Sequence, residues 1–200
     1  LGVFKSTLIS DIYIQPADDE CVGVVSALEF AKSIGAIPAY AYLGDVTDSP
    51  TGDKKAAKFE DDYLEELFKE LKTLGFQAVT YMPPRNTREQ LTKIQELCGE
   101  YELMEISGVD INSSRQSFNC PELLLNEYKH LAGSAWGLIA HEKLADADNN
   151  MGIFHPNNPY ADLSLKERIR IYGAVGAAID PKHTEESPRV AAMICKELGL

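Results

Sequence analysis

The chain has 200 residues, 44% of them hydrophobic, enough for one domain, or one domain with an appendage, around a substantial core. A formal net charge of −12 argues against a general surface for nucleic acid or for an anionic membrane, while leaving room for a small local anion pocket. No run approaches the roughly 18 apolar residues of a membrane helix, no secretory leader is visible, and the four cysteines (Cys21, Cys98, Cys120, Cys195) form no CxxC pair. Reduced thiols in a cytoplasmic protein are therefore expected, not a zinc cage or a disulfide framework.

In chain order, Thr7 to Gln15 reads as a strand. Residues 17–34 read as a helix with Val22, Val25, Leu28 and Phe30 available for burial and Gly35 as its stop. A strand follows at 36–42. Asp45 to Asp53 is a polar loop that Pro50 and Gly52 keep out of regular structure. The helix at 55–74 carries Phe59, Tyr63, Leu67, Phe68, Leu71 and Leu74 on one face and ends at Gly75. The next strand is 76–81, broken off by Pro83-Pro84. Thr87-Arg88-Glu89-Gln90 has the form of a capping box, opening a helix over 88–101 with Leu91, Ile94, Leu97, Cys98 and Tyr101 on its apolar side. The third strand is 103–107.

Beyond Asn119 the pattern becomes mainly helical. Pro121 to His130 and Gly133 to Leu144 read as helices, and 146–160 as an irregular Asn/Asp/Pro-rich stretch. Ser164 to Glu167 is a second capping box, followed by a stripe of Leu165, Ile169, Tyr172, Val175 and Ile179. A last helix spans 185–198.

The strict alternation of helix and strand predicts that 36–42, 76–81 and 103–107 lie parallel and adjacent in one sheet, with helices 55–74 and 88–101 as right-handed crossovers. In such sheets ligands bind at the carboxyl ends of the strands. That rim would hold Tyr42 to Asp45, Thr80 to Asn86 and Asp110 to Arg115.

Three segments carry a resemblance. Gly35-Ala36-Ile37-Pro38-Ala39-Tyr40-Ala41-Tyr42-Leu43 fits a frame reading "GG-hydrophobic-P-hydrophobic-AHP". Leu71 to Pro83 fits "LkelGldgiEvyhP", and Cys98 to Asn112 fits "A-x-x-y-x-L-x-x-(S/T)-G-x-D-x-H". In this order and spacing, residues 24–118 resemble the later part of a PHP domain, the polymerase-and-histidinol-phosphatase family of metal-dependent phosphoesterases. The resemblance implies an α/β fold: residues 1–119 as the parallel-strand, C-terminal portion of a PHP-like (β/α)7 barrel, and 120–200 as a helical extension packed on the same domain. It implies hydrolysis of a small phosphorylated substrate with a divalent metal (Zn, Mn or Fe) that activates water. It also implies a partner: the missing N-terminal part of the barrel, or a second copy of the chain.

The chain departs from the family where the metal is held. Tyr42 stands for the histidine of AHP, Thr80 for the glutamate of the second motif and Asn112 for the last histidine, and the N-terminal HxH motif is absent. Tyr, Thr and Asn are poorer metal ligands than imidazole or carboxylate. Metal binding is accordingly expected to be weak or absent, and a second reading stands beside the first: a catalytically inactive relative that binds a small anionic ligand without metal.

The candidate residues have competing readings. Asp110 is a metal ligand or a loop cap. Arg115 and Arg85, with Asn86, Asn112, Ser113, Ser114 and Tyr42, form a candidate anion site, because guanidinium groups and hydroxyls grip phosphate or carboxylate; solvated surface positions are the alternative. Asp45, Asp48 and Asp53 read as a solvated acidic loop, and Lys54, Lys55 and Lys58 as helix surface. His130 and His141 are eleven apart, with Gly133 arguing against one continuous helix, and His141 with Glu142 is a weak acid–base candidate. No GxSxG, GxGxxG or Walker loop occurs, so serine-nucleophile and nucleotide-loop chemistry have no motif support.

Overall fold

The structure is a computed structural model that describes residues 8, 17–46, 58–109, 111, 114 and 119–199. Three short strands, β1 (Ala39–Ala41), β2 (Ala78–Tyr81) and β3 (Met104–Ser107), form one parallel sheet in the order β1-β2-β3. Ala41 is in register with Thr80, and Thr80 with Ile106. The parallel, adjacent arrangement expected from the alternation is observed. The barrel is not. Among the described residues the sheet is open and β1 and β3 each have a single hydrogen-bonded neighbour. Three strands of three or four residues are too few to make the seven-stranded barrel, and most of the regular structure is helical.

The helices stop where local chemistry stops them. α1 (Val24–Ser33) ends at Gly35, φ +72°, whose N–H bonds Lys32 O while Ala36 N bonds Ala31 O. α2 (Leu64–Leu74) ends at Gly75, φ +90°, with Phe76 N on Leu71 O. Glycine adopts this left-handed turn without the Cβ penalty. α3 (Arg88–Glu100) opens on the Thr87/Gln90 capping box and α5 (Leu165–Ala178) on the Ser164/Glu167 box. α4 (Lys129–Ala147) is the longest helix and α6 (Ser187–Glu197) the last.

Several boundaries differ from expectation. The region 17–34 splits into a 3-10 turn (Asp18–Glu20) and α1. Of its four expected core residues only Leu28 is buried, while Val22, Val25 and Phe30 stay exposed. Residues 121–128 form two 3-10 turns, and α4 runs straight through Gly133, so His130 and His141 do share a helix. Eleven residues at 1.5 Å per residue still hold them about 16 Å apart, too far to share one ion. The expected strand at Thr7–Gln15 lies, apart from Leu8, outside the described residues. No described helix is long and apolar enough to cross a membrane.

Each face of the sheet has its own core. Tyr42, Val79 and Tyr81 pack with Phe68, Leu71, Leu91, Ile94 and Leu97 of α2 and α3. Ala78 and Met104 on the other face meet Leu165, with Leu138 and Ile169 packed alongside. That second layer rests on the crossing of α4 and α5, where backbone meets backbone. A Cβ at Gly176 would stand 1.9 Å from Trp136 O, and one at Gly173 2.9 Å from Gly133 O. Gly176→Ala should therefore destabilise the fold by about 1–3 kcal/mol or more, since neither helix can give way locally. Gly99→Ala on α3, where an added Cβ meets nothing within 4 Å, should be neutral or stabilise by up to about 1 kcal/mol through helix propensity. Chemical denaturation of both variants checks the pair.

Candidate functional site at the carboxyl rim

Strand alternation puts Tyr40 and Tyr42 on the same side of β1, where they meet two consecutive carboxylates, Glu60 and Asp61, at the entry to α2. Tyr40 Oη donates to Glu60 Oε1 at 3.2 Å and Leu43 N donates to the same oxygen at 2.9 Å. Tyr42 Oη donates to Asp61 Oδ1 at 2.6 Å, while Asp61 Oδ2 accepts from Asp45 N at 3.0 Å and from Gln90 Nε2 at 2.6 Å. Gln90 also donates to Asp45 O. Glu60, 3% exposed, and Tyr42, 1% exposed, are buried. The loop after β1 is thus wrapped around two side-chain acceptors.

The loop after β2 is tied to it by Asn86. Its Oδ1 accepts from Met82 N at 3.1 Å and its Nδ2 donates to Leu43 O at 2.7 Å. Gly44 closes the knot: φ is +70°, and an added Cβ would lie 2.8–2.9 Å from the Asn86 amide, the Tyr42 hydroxyl and the Gln90 amide.

Arg85 behaves differently. Its guanidinium carbon lies 5.8 Å from the centroid of the Phe59 ring, a cation–π distance. Its Nη2 is buried and has no hydrogen-bond partner among the described residues. A buried guanidinium nitrogen left open is costly unless something accepts from it.

Of the expected site residues, Tyr42, Arg85 and Asn86 come together at the rim, and Ser114 is exposed. Asp110, Asn112, Ser113 and Arg115 lie outside the described residues, as do Asp48, Asp53, Lys54 and Lys55. Lys58 pairs with Asp62 on the surface. Glu60, Asp61, Gln90 and Tyr40 were not singled out from the sequence. The usable signal was the i, i+2 pair of tyrosines on a strand, whose hydroxyls demand partners when buried.

Donor chemistry tests the metal expectation. Tyr42 offers Asp61 a proton in place of a free lone pair, and both Asp61 oxygens are already occupied by neutral donors. No grouping of three or more His, Cys, Asp or Glu suited to a metal ion occurs among the described residues. Asp61 is thus already engaged by neutral donors, and Asp110, the expected metal ligand, lies outside the described residues.

At the opposite end of the sheet His141 is structural. Its Nε2 lies 3.1 Å from Gly35 O and its Nδ1 accepts from Ile153 N at 3.1 Å, which fixes a neutral ring with the proton on Nε2. Burial lowers its pKa, so its contribution to stability is complete above the unfolded value of about 6.5 and is lost as pH falls. Denaturant midpoints taken from pH 7 to 5 should fall, and should fall less in His141→Gln.

Comparison with protein-family models, with curated proteins and with solved structures returned no match.

The knot has a spectroscopic signature. Burial first, then the hydrogen bonds and charges of the carboxylates, push the Tyr42 hydroxyl far above its ordinary value; burial and Glu60 do the same to Tyr40. A raised folded pKa means that stability is fully present below the unfolded value of about 10 and is lost as pH rises beyond it. Phenolate absorbance should therefore show buried tyrosines ionising only as the fold opens. Tyr42→Phe, which strands one Asp61 oxygen, should cost about 1–3 kcal/mol.

Proposed function

We propose that this chain binds a small anionic molecule, a phosphorylated compound foremost, at the carboxyl rim of the sheet without a metal ion. One observation carries the reading: Arg85 presents a buried guanidinium nitrogen with no acceptor beside the loop that follows β2. Phosphate and carboxylate oxygens are the natural complement of that group. The replacement of family metal ligands by Tyr42 and Thr80, and the engagement of Tyr42 by Asp61, support binding without metal-assisted hydrolysis. Arg115, Ser113, Ser114 and Asn112 follow β3 in the sequence and are the residues proposed to complete the site. The acidic background, −12 overall, favours a compact ligand over a polyanion. The four cysteines are free thiols, which suits a reducing compartment, and the cytoplasm is the proposed location.

Calorimetry with inorganic phosphate and small phosphorylated compounds tests this. Arg85→Ala, with its fold verified by thermal unfolding, should lose about 1.5–3 kcal/mol of binding, and Arg115→Ala a comparable amount. Equal affinity in wild type and Arg85→Ala removes Arg85 from the site. Metal-stimulated release of phosphate from an aryl phosphate, abolished by Asp110→Asn, would replace this reading by the phosphoesterase that the resemblance implies.

A further inference from the structure

A second site lies away from the rim, along the outer side of β3. A cleft of about 1040 Å³ opens between β3, the end of α3 and the starts of α4 and α5. Its size is that of a small-molecule pocket. One wall is apolar, with Leu103, Leu165, Ile169 and Ala174.

Three side chains on three elements form a relay at its edge. Tyr81 Oη, on β2, donates to Glu105 Oε2 at 2.6 Å, and His130 Nε2, on α4, lies 3.1 Å from the same oxygen. Burial and the Glu105 carboxylate hold the Tyr81 hydroxyl well above its ordinary pKa, so it remains a donor. With Glu105 accepting both bonds, the His130 proton sits on Nε2 and Nδ1 is left as an acceptor in the neutral ring. His130 is held in one orientation, yet its side chain is 42% exposed. One helical turn further along the same face of α4 is Ser134. It lines the cleft, is 2% exposed, and makes no hydrogen bond through its hydroxyl among the described residues.

The charges in the lining sort by whether they are engaged. Glu127 pairs with Arg88, Glu167 closes the capping box with Ser164, and Glu105 holds the relay. Glu102 enters no ion pair or side-chain hydrogen bond among the described residues. Lys166 and Arg170, one turn apart on the same face of α5, line the cleft and enter no direct ion pair among the described residues, although the Arg170 charge also acts on Glu167. Adjacent like charges at this spacing oppose each other, and an anion between them relieves the repulsion.

We infer that the cleft beside β3 is a binding site for a small molecule with an anionic group and an apolar body, the anion held by Lys166 and Arg170, the body against Leu165 and Ile169, and a polar atom met by His130 and Ser134. The site is independent of the rim.

Phenyl phosphate serves as the probe in a nuclear magnetic resonance titration of the full chain, with inorganic phosphate alongside. Phenyl phosphate should shift the His130 ring, the Ser134 and Gly173 amides and the Leu165 and Ile169 methyls, at lower concentration than inorganic phosphate does. Arg170→Ala should weaken that binding about tenfold, whereas Arg85→Ala should leave it unchanged. His130→Gln should weaken it without moving the thermal midpoint by more than a few degrees. Absence of shifts in the cleft at millimolar probe overturns the inference, and so does loss of the shifts in Arg85→Ala. Concentration-dependent dimerisation that protects the β3 amides and excludes phenyl phosphate also overturns it, since the cleft would then be a strand-pairing edge.

Discussion

Glu60 and Asp61 are two adjacent acids at the threshold of α2, and the upper half of the molecule is organised by what they accept. Ionised carboxylates have acceptor capacity and no donors, so bringing them to the end of a parallel strand commits the surrounding chain to supplying protons. It does so from two tyrosine hydroxyls, two backbone N–H groups of the loop after β1, and the Gln90 amide. Gln90 is at the same time part of the α3 cap through Thr87, so a single side chain joins the start of one helix to the loop after the first strand. Asn86 adds the second loop. Hydrogen bonds to ionised groups are the strong ones, and here they hold a sheet whose strands are too short to hold it alone.

That arrangement bears on chemistry. In a metal-dependent phosphoesterase, carboxylates at strand ends are balanced by cations. In this chain Glu60 and Asp61 are balanced by neutral donors, and among the described residues the guanidinium of Arg85 is left with an open nitrogen. The described rim offers a cation carboxylates that already accept from neutral donors, and offers an anion one open guanidinium nitrogen.

The elements of the fold were legible wherever a local signal decides them. Gly35 and Gly75 end helices because only their φ angles make the turn cheaply, and the Thr87 and Ser164 boxes begin helices through side chains three residues away. Of the stripe Leu165, Ile169, Tyr172, Val175 and Ile179, all but the half-buried Ile169 are buried, as the spacing predicts. What could not be read is long-range. Whether three parallel strands curl into a barrel or remain an open sheet depends on contacts that no short window contains. Gly133 in a run of mixed residues reads as a helix break until Gly173 is seen pressed against it. The apolar residues of α1 promised burial, but periodicity says only which side chains share a face, not whether anything covers it. Tyr42 and Asn86 do lie at the strand ends and share one hydrogen-bonded cluster, yet Glu60 and Asp61 come from the start of the next helix, and their role appears only once Tyr40 and Tyr42 are seen to point at them.

α1 buries one side chain, Leu28, and is otherwise fastened through its end: the Gly35 turn, whose carbonyl faces His141. A helix with so little apolar area at stake has little free energy opposing its release. Among the described helices its amides are thus the ones from which hydrogen exchange should begin, in a sub-global opening that leaves the α4–α5 crossing shut. The molecule has a hinged end and a welded one, and proteolytic nicking in its native state should find the hinged end first.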